Sequence, residues 1–103
     1  MLLSTTEHIT GKELEQLGLV QGNVVQTKGI GKDFKAVGRA LIGGEILDYT
    51  DLLKEARAIA TERMIQEAKE LNADAIVSVR YTTSDIMDSA SEVMAYGTAV
   101  KFK

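Results

Sequence analysis

Cysteine is absent from this chain, so no disulfide can form and neither thiol redox chemistry nor a thiolate metal site is open to it. Tryptophan is absent as well, and only two Phe and three Tyr occur. The core must therefore be built from Val, Ile, Leu, Met and Ala, which gain less per residue than aromatic side chains. Histidine appears once, as His8, and no Ser, His and carboxylate set can be assembled around it for nucleophilic catalysis. Clustered positive charge is lacking too: twelve Lys and Arg are scattered among fifteen Asp and Glu, for a formal net charge of −3. A nucleic-acid partner, which requires grouped cations to neutralise phosphates, is not expected. No apolar run approaches membrane-spanning length, and Met1 to Glu7 has neither the basic start nor the long apolar stretch of a signal peptide. No membrane partner is expected, and the chain reads as cytoplasmic.

What is present fits one domain of 103 residues. Its 45% hydrophobic and 26% charged residues lie in the globular range, away from the composition of disordered chains. A globule of this length buries only about two-thirds of the surface its unfolded chain exposes. Association between copies is then a natural further source of stability.

Periodicity divides the chain into three zones. Up to about Thr27, the apolar residues from Leu14 to Val25 indicate one long strand, bent or bulged at Gly18 and Gly22. From Gly29 to Leu71 the spacing predicts two helices. The first is short, capped by Asp33, carries Phe34, Val37, Leu41 and Ile42, and stops at Gly43-Gly44. The second starts near Asp48 to Asp51 and carries Leu53, Ala56, Ala60, Met64, Ala68 and Leu71 on one stripe, ending at Asn72, a residue tolerant of the left-handed conformation. Finally, Ala75–Thr82 and Glu92–Phe102 read as a hairpin joined by a long polar turn. Val93, Ala95, Gly97 and Ala99 give its second strand a flat face, suited to close packing under the Ala-rich helix. The fold class is α+β, with about three antiparallel strands and a helix on one face. Two open edges and an uncovered face point to self-association in a closed ring.

Few motifs carry chemistry. Gly29-Ile30-Gly31-Lys32-Asp33-Phe34 has Phe where a dinucleotide fingerprint needs its third glycine, and Asp where a phosphate loop needs Ser or Thr after Gly-Lys. Metal donors are limited to His8 with carboxylates such as Glu7, Asp85, Asp88 or Glu92, drawn where necessary from different subunits. Asp85 and Asp88 also read as solvated charges of a polar loop. Arg57, set between Ala56 and Ala58, lies near enough to the apolar stripe to be partly buried and paired with a carboxylate, for which Asp33 is the candidate.

Several segments together carry a resemblance. Ser4-Thr5-Thr6, Gly18-Leu19-Val20-Gln21-Gly22, Lys32-Asp33-Phe34, Gly43-Gly44, Tyr49, Ala56-Arg57-Ala58-Ile59-Ala60, Ala73-Asp74-Ala75-Ile76-Val77 and Tyr96-Gly97-Thr98-Ala99-Val100 run in this order over nearly the whole chain. The ordered set resembles the YbjQ-like family of small bacterial and archaeal proteins, which carries a heavy-metal-binding label. Asn72 stands where that family has Gly, and both residues suit the left-handed helix end.

The resemblance implies a dodecin-like subunit, a three-stranded antiparallel sheet backed by a long helix with a short helix and short extra strands, assembled as a homopentameric ring. It brings no metal-ligand motif that maps onto this chain. Ligand or interface candidates are Asp33, Arg57, Tyr49, Gly43, Gly44, Gly97 and Thr98, with His8, Asp85 and Asp88 as metal candidates for a divalent or heavy metal ion. The expected function is a homo-oligomeric binding protein with a metal or small ligand at subunit interfaces. A ligand-free scaffold is the alternative, and an enzyme using Asp33 and Arg57 in an interface cleft is the third reading.

Overall fold

The computed structural model describes residues 1–27, 41–42, 45–88 and 90–103, with the backbone alone at residues 27, 41–42 and 45–49. The stretch with helical spacing becomes α1 (Leu47–Glu70). Ala56, Ala60, Met64 and Ala68 are fully buried, and Ile59 and Ile65 are half-buried beside them. The buried stripe is thus shorter than its sequence pattern, because Leu53 and Leu71 at its two ends are exposed. The helix ends as its sequence indicates: Asn72 has a φ of 59°. Its N–H donates to the Lys69 carbonyl and that of Ala73 to the Ala68 carbonyl, the paired bonds of a Schellman cap.

Six strand segments accompany this helix among the described residues: β1 (Leu2–Leu3), β2 (Leu14–Thr27), β3 (Leu41–Ile42), β4 (Glu45–Ile46), β5 (Ala75–Met87) and β6 (Ala90–Phe102). The main sheet has four strands in the order β1-β5-β6-β2. β6 is antiparallel to both long neighbours, whereas β1 is parallel to β5. The expected three-stranded antiparallel sheet is therefore corrected to a four-stranded mixed one, because Leu2 and Leu3 align beside Ala75 and Ile76.

Two further expectations change. Leu41 and Ile42, read as helical, form β3 and pair antiparallel with β4. The long polar turn between the hairpin strands is mostly strand as well. Residues 82–85 pair with residues 91–94, so the ribbon continues almost to Asp88, since Tyr81, Thr82, Thr83 and Ile86 are residue types that suit a pleated surface even where no core supports it. The predicted short helix after Asp33 lies outside the described residues.

Helix α1 packs against β2 and β6. Val20, Val24, Ile76, Val79, Val93, Ala95 and Ala99 supply the sheet side of this core. The approach is closest at Gly22: a Cβ there would collide with the backbone oxygen of Ala60 and the backbone nitrogen of Met64. Glycine is thus required for the helix to sit at this depth. The helix also covers part of the outer edge of β2. The Gln21 N–H donates to Glu67 Oε1 at 3.1 Å, and Arg63 Nη1 donates to the Asn23 carbonyl at 2.5 Å. Such side chains occupy edge groups that would otherwise invite another strand.

Candidate functional site

The site is built on the face of the sheet that α1 leaves open, and it begins with a break in strand register. Val77 pairs with Thr98 and Arg80 with Tyr96, so Ser78 and Val79 both stand opposite Gly97. This β-bulge reverses the alternation that the sequence shows. Val77 joins Ala75 and Val100 in a small cluster on the open face, while Val79 turns to the helix core. Ser78 takes a φ of 53°, unusual for a residue with a side chain and held only when its surroundings compensate. Gly97 allows the fold to bulge here: a Cβ on it would lie 2.8 Å from Ile76 Cγ2 and 2.9 Å from the Val77 carbonyl oxygen.

The compensation comes from the N-terminal segment. The Ser78 N–H donates to the Thr6 carbonyl and the Val79 N–H to the Ser4 carbonyl, both at 2.9 Å, and the Ser4 N–H donates to the Ile76 carbonyl. Thr6 N–H donates to Ser4 Oγ, and Thr6 Oγ1 donates to the His8 carbonyl at 2.7 Å, which folds the segment into a tight turn. Arg80 Nη1 donates to the Thr5 carbonyl at 2.9 Å. Ser4-Thr5-Thr6 therefore works as a clamp on the bulge.

Between this clamp, the turn at Gly11 and the sheet lies an open cleft of about 660 Å³. Leu14, Val77 and Val100 supply its apolar surface, and Gln16, Ser78 and Thr98 add neutral polar groups. Glu7, His8, Lys12, Glu13 and Lys103 add the charged and titratable ones. Lys12 Nζ sits 4.9 Å from the centre of the Phe102 ring, a cation–π contact that holds this side chain near the strand end. The backbone N–H of Phe102 donates to Asp74 Oδ2 at 2.8 Å, so the Ala73-Asp74-Ala75 motif fixes the strand carrying that ring.

The candidates from sequence are dispersed by this geometry. Thr98 and His8 line the cleft, and Gly97 lies beneath it. Arg57 is exposed, which corrects its expected partial burial: one residue turns a helix by about 100°, enough to take position 57 off the buried stripe that Ala56 occupies. Its carbonyl accepts a bond from Thr61 Oγ1 at 2.7 Å. Asp33, Gly43 and Gly44 and the side chain of Tyr49 lie outside the described residues. Asp85 and Asp88 stand at the far end of the ribbon, where Asp85 Oδ1 accepts a bond from Ser91 Oγ at 3.2 Å. Eight residues of strand, on the order of 25 Å, separate Asp85 from Val77 in the cleft, so His8 and these carboxylates do not meet within one chain. Sequence reasoning missed Lys12, Glu13, Gln16, Ser78 and Lys103. Only the glycine at 97 within an otherwise regular strand signalled that something unusual stood opposite.

Comparison with known proteins gives one family. A family model described as "Putative heavy-metal-binding" (YbjQ) matches residues 1–103. A UPF0145 protein of Pseudothermotoga lettingae is 57% identical over 104 residues, covering 100% of this chain and 98% of its own. One from Colwellia psychrerythraea is 54% identical, covering 100% and 99%. Among solved structures, a protein of unknown function from Pediococcus pentosaceus, assigned to the DUF74 family, superposes with a TM-score of 0.70 at 15% identity. That match covers 100% of this chain and 98% of the other. The α+β arrangement is shared with it. The described residues do not fit the metal in the family's description: among them, no three His, Cys, Asp or Glu side chains are grouped so as to hold an ion.

Proposed function

We propose, since this chain belongs to the YbjQ family along its whole length, that it is a cytoplasmic homo-oligomeric binding protein, a dodecin-like subunit closing into a pentameric ring with its ligand sites where subunits meet. The observation that carries this reading is shape. The Cα radius of gyration is 16.9 Å, against about 13 Å for a compact domain of this length. A sheet that outreaches its helix contributes to this excess: every residue from Arg80 to Asp88 is exposed, and Ile86 and Met87 are apolar. A ribbon of this kind gains little from its own chain. Covered by a neighbouring copy, it gains the burial that a single chain of this size lacks.

The open face supports the same reading. Leu19 is 71% exposed and Val25 56% exposed on the strand at one edge of the sheet. Exposed apolar side chains favour association, and a rotation that closes produces a ring instead of a filament. A metal form of this function would draw donors from more than one subunit or from outside the described residues, because the described ones are not grouped within one chain.

Native mass spectrometry of freshly purified protein tests the proposal, supported by sedimentation at micromolar concentration. The expected result is a particle of five 11.2 kDa subunits. A folded 11.2 kDa particle that persists on dilution would overturn it.

A further inference from the structure

The cleft over the Ser78 bulge combines features that the fold alone does not require. Glu7, Lys12, Glu13 and Lys103 all line it, yet none is ion-paired with another, and the hydroxyls of Ser78 and Thr98 have no partner among the described residues. Charges of both signs thus share one concavity without pairing with one another. Ser78 is held at positive φ by a clamp of three backbone hydrogen bonds, so backbone strain is maintained at the same place. The volume, about 660 Å³, lies in the range of small-molecule pockets.

We propose that this cleft binds a small zwitterion of the amino-acid class, a molecule carrying one carboxylate, one ammonium group and a short apolar body. Lys12, steadied over the Phe102 ring, offers a cation to the carboxylate. Glu13 and Glu7 offer acceptors to the ammonium. Ser78 and Thr98 have hydroxyls to complete the polar contacts, and Leu14, Val77 and Val100 present apolar surface to the side chain. A purely anionic ligand would face two carboxylates and a purely cationic one two ammonium groups. A molecule with both charges meets a partner for each. The inference rests on the reading of this chain as a binding protein and not on its subunit count.

Saturation-transfer difference NMR on the intact protein tests it with three probes of similar shape: L-leucine, 3-methylbutylamine, which lacks the carboxylate, and 4-methylpentanoate, which lacks the ammonium group. L-leucine is expected to bind about tenfold more tightly than either single-charge analogue. Lys12→Gln and Glu13→Gln, both on exposed side chains that leave the core untouched, are each expected to weaken leucine by about fivefold or more. The far-ultraviolet circular dichroism should not change. Equal response to all three probes, or none to L-leucine at tens of millimolar, overturns the inference. Native mass spectrometry of the same samples separates the two failures: an intact ring without leucine binding removes only this proposal, and a monomer that binds leucine removes only the ring.

Discussion

The two faces of the main sheet are made from alternate residues of the same strands, yet they follow different rules. On the covered face, Val20, Val24, Val93, Ala95 and Ala99 meet Ala56, Ala60, Met64 and Ala68, and every one of these is buried. Small side chains let the helix approach until backbone touches backbone. On the open face, a small cluster of Ala75, Val77 and Val100 is rimmed by half-buried Ile9, Leu14 and Phe102, and beyond it Leu19 and Val25 are left in water. Stability within the chain resides on the first face. The second retains uncommitted charges, hydroxyls and apolar surface, the groups from which binding and association are made.

Gly22→Val is expected to break this contrast most severely. A branched side chain at 22 has no rotamer that avoids the backbone of Ala60 and Met64, so the helix must lift from the sheet and the whole covered core opens with it. Overpacking against movable side chains costs about 1–3 kcal/mol. Against backbone the loss should exceed about 3 kcal/mol, enough to unfold much of a marginal domain. Urea denaturation followed by circular dichroism reads it. A variant as stable as the wild type would mean that the helix does not sit at the depth described.

Leu19→Ser should be the reverse case. Leu19 is 71% exposed, so within one chain its truncation costs almost nothing. If the open face is where copies meet, the same change weakens association by roughly 1–2 kcal/mol per contact, the transfer value of a partly buried leucine. Sedimentation across a dilution series should show dissociation at about tenfold higher concentration than wild type. Unchanged association would move the interface away from this edge.

The covered face was the more legible in sequence, for a physical reason. Helix spacing, Ala content and the flat Val93, Ala95, Gly97, Ala99 row are local patterns, and local patterns survive in a sequence. Asn72 announced the helix end because only a few residue types take a left-handed φ readily. The open face depends instead on pairings between distant segments. Leu2-Leu3 looked like an ordinary chain start until Ala75 and Ile76 lay beside it. The bulge at Ser78 was invisible because Val77, Ser78, Val79 and Arg80 alternate regularly, and only the shift against Gly97 reverses which valine faces the helix. Lys12 and Glu13 were unremarkable charges until the turn at Gly11 brought them over the strands. Arg57 was misjudged by one position on the helix, about 100° of rotation.

Tyr81→Phe carries the smallest expected effect, and it probes the border between the two regimes. Tyr81 follows the bulge on β5 and its hydroxyl lies 2.8 Å from Thr61 Oγ1 on the helix, which itself donates to the Arg57 carbonyl. Because Tyr81 is 45% exposed, water replaces the lost partner, and Thr61 keeps its bond to Arg57. The net loss should stay within about 0.5–1 kcal/mol, the usual worth of such a bond. Thermal unfolding would register it as a fall of only a few degrees, about 4–8 °C per kcal/mol for a domain of this size. A loss above about 2 kcal/mol would show instead that this hydroxyl is shut away from water. Since Tyr81 is 45% exposed in the single chain, a second subunit lying across the ribbon would account for such shielding.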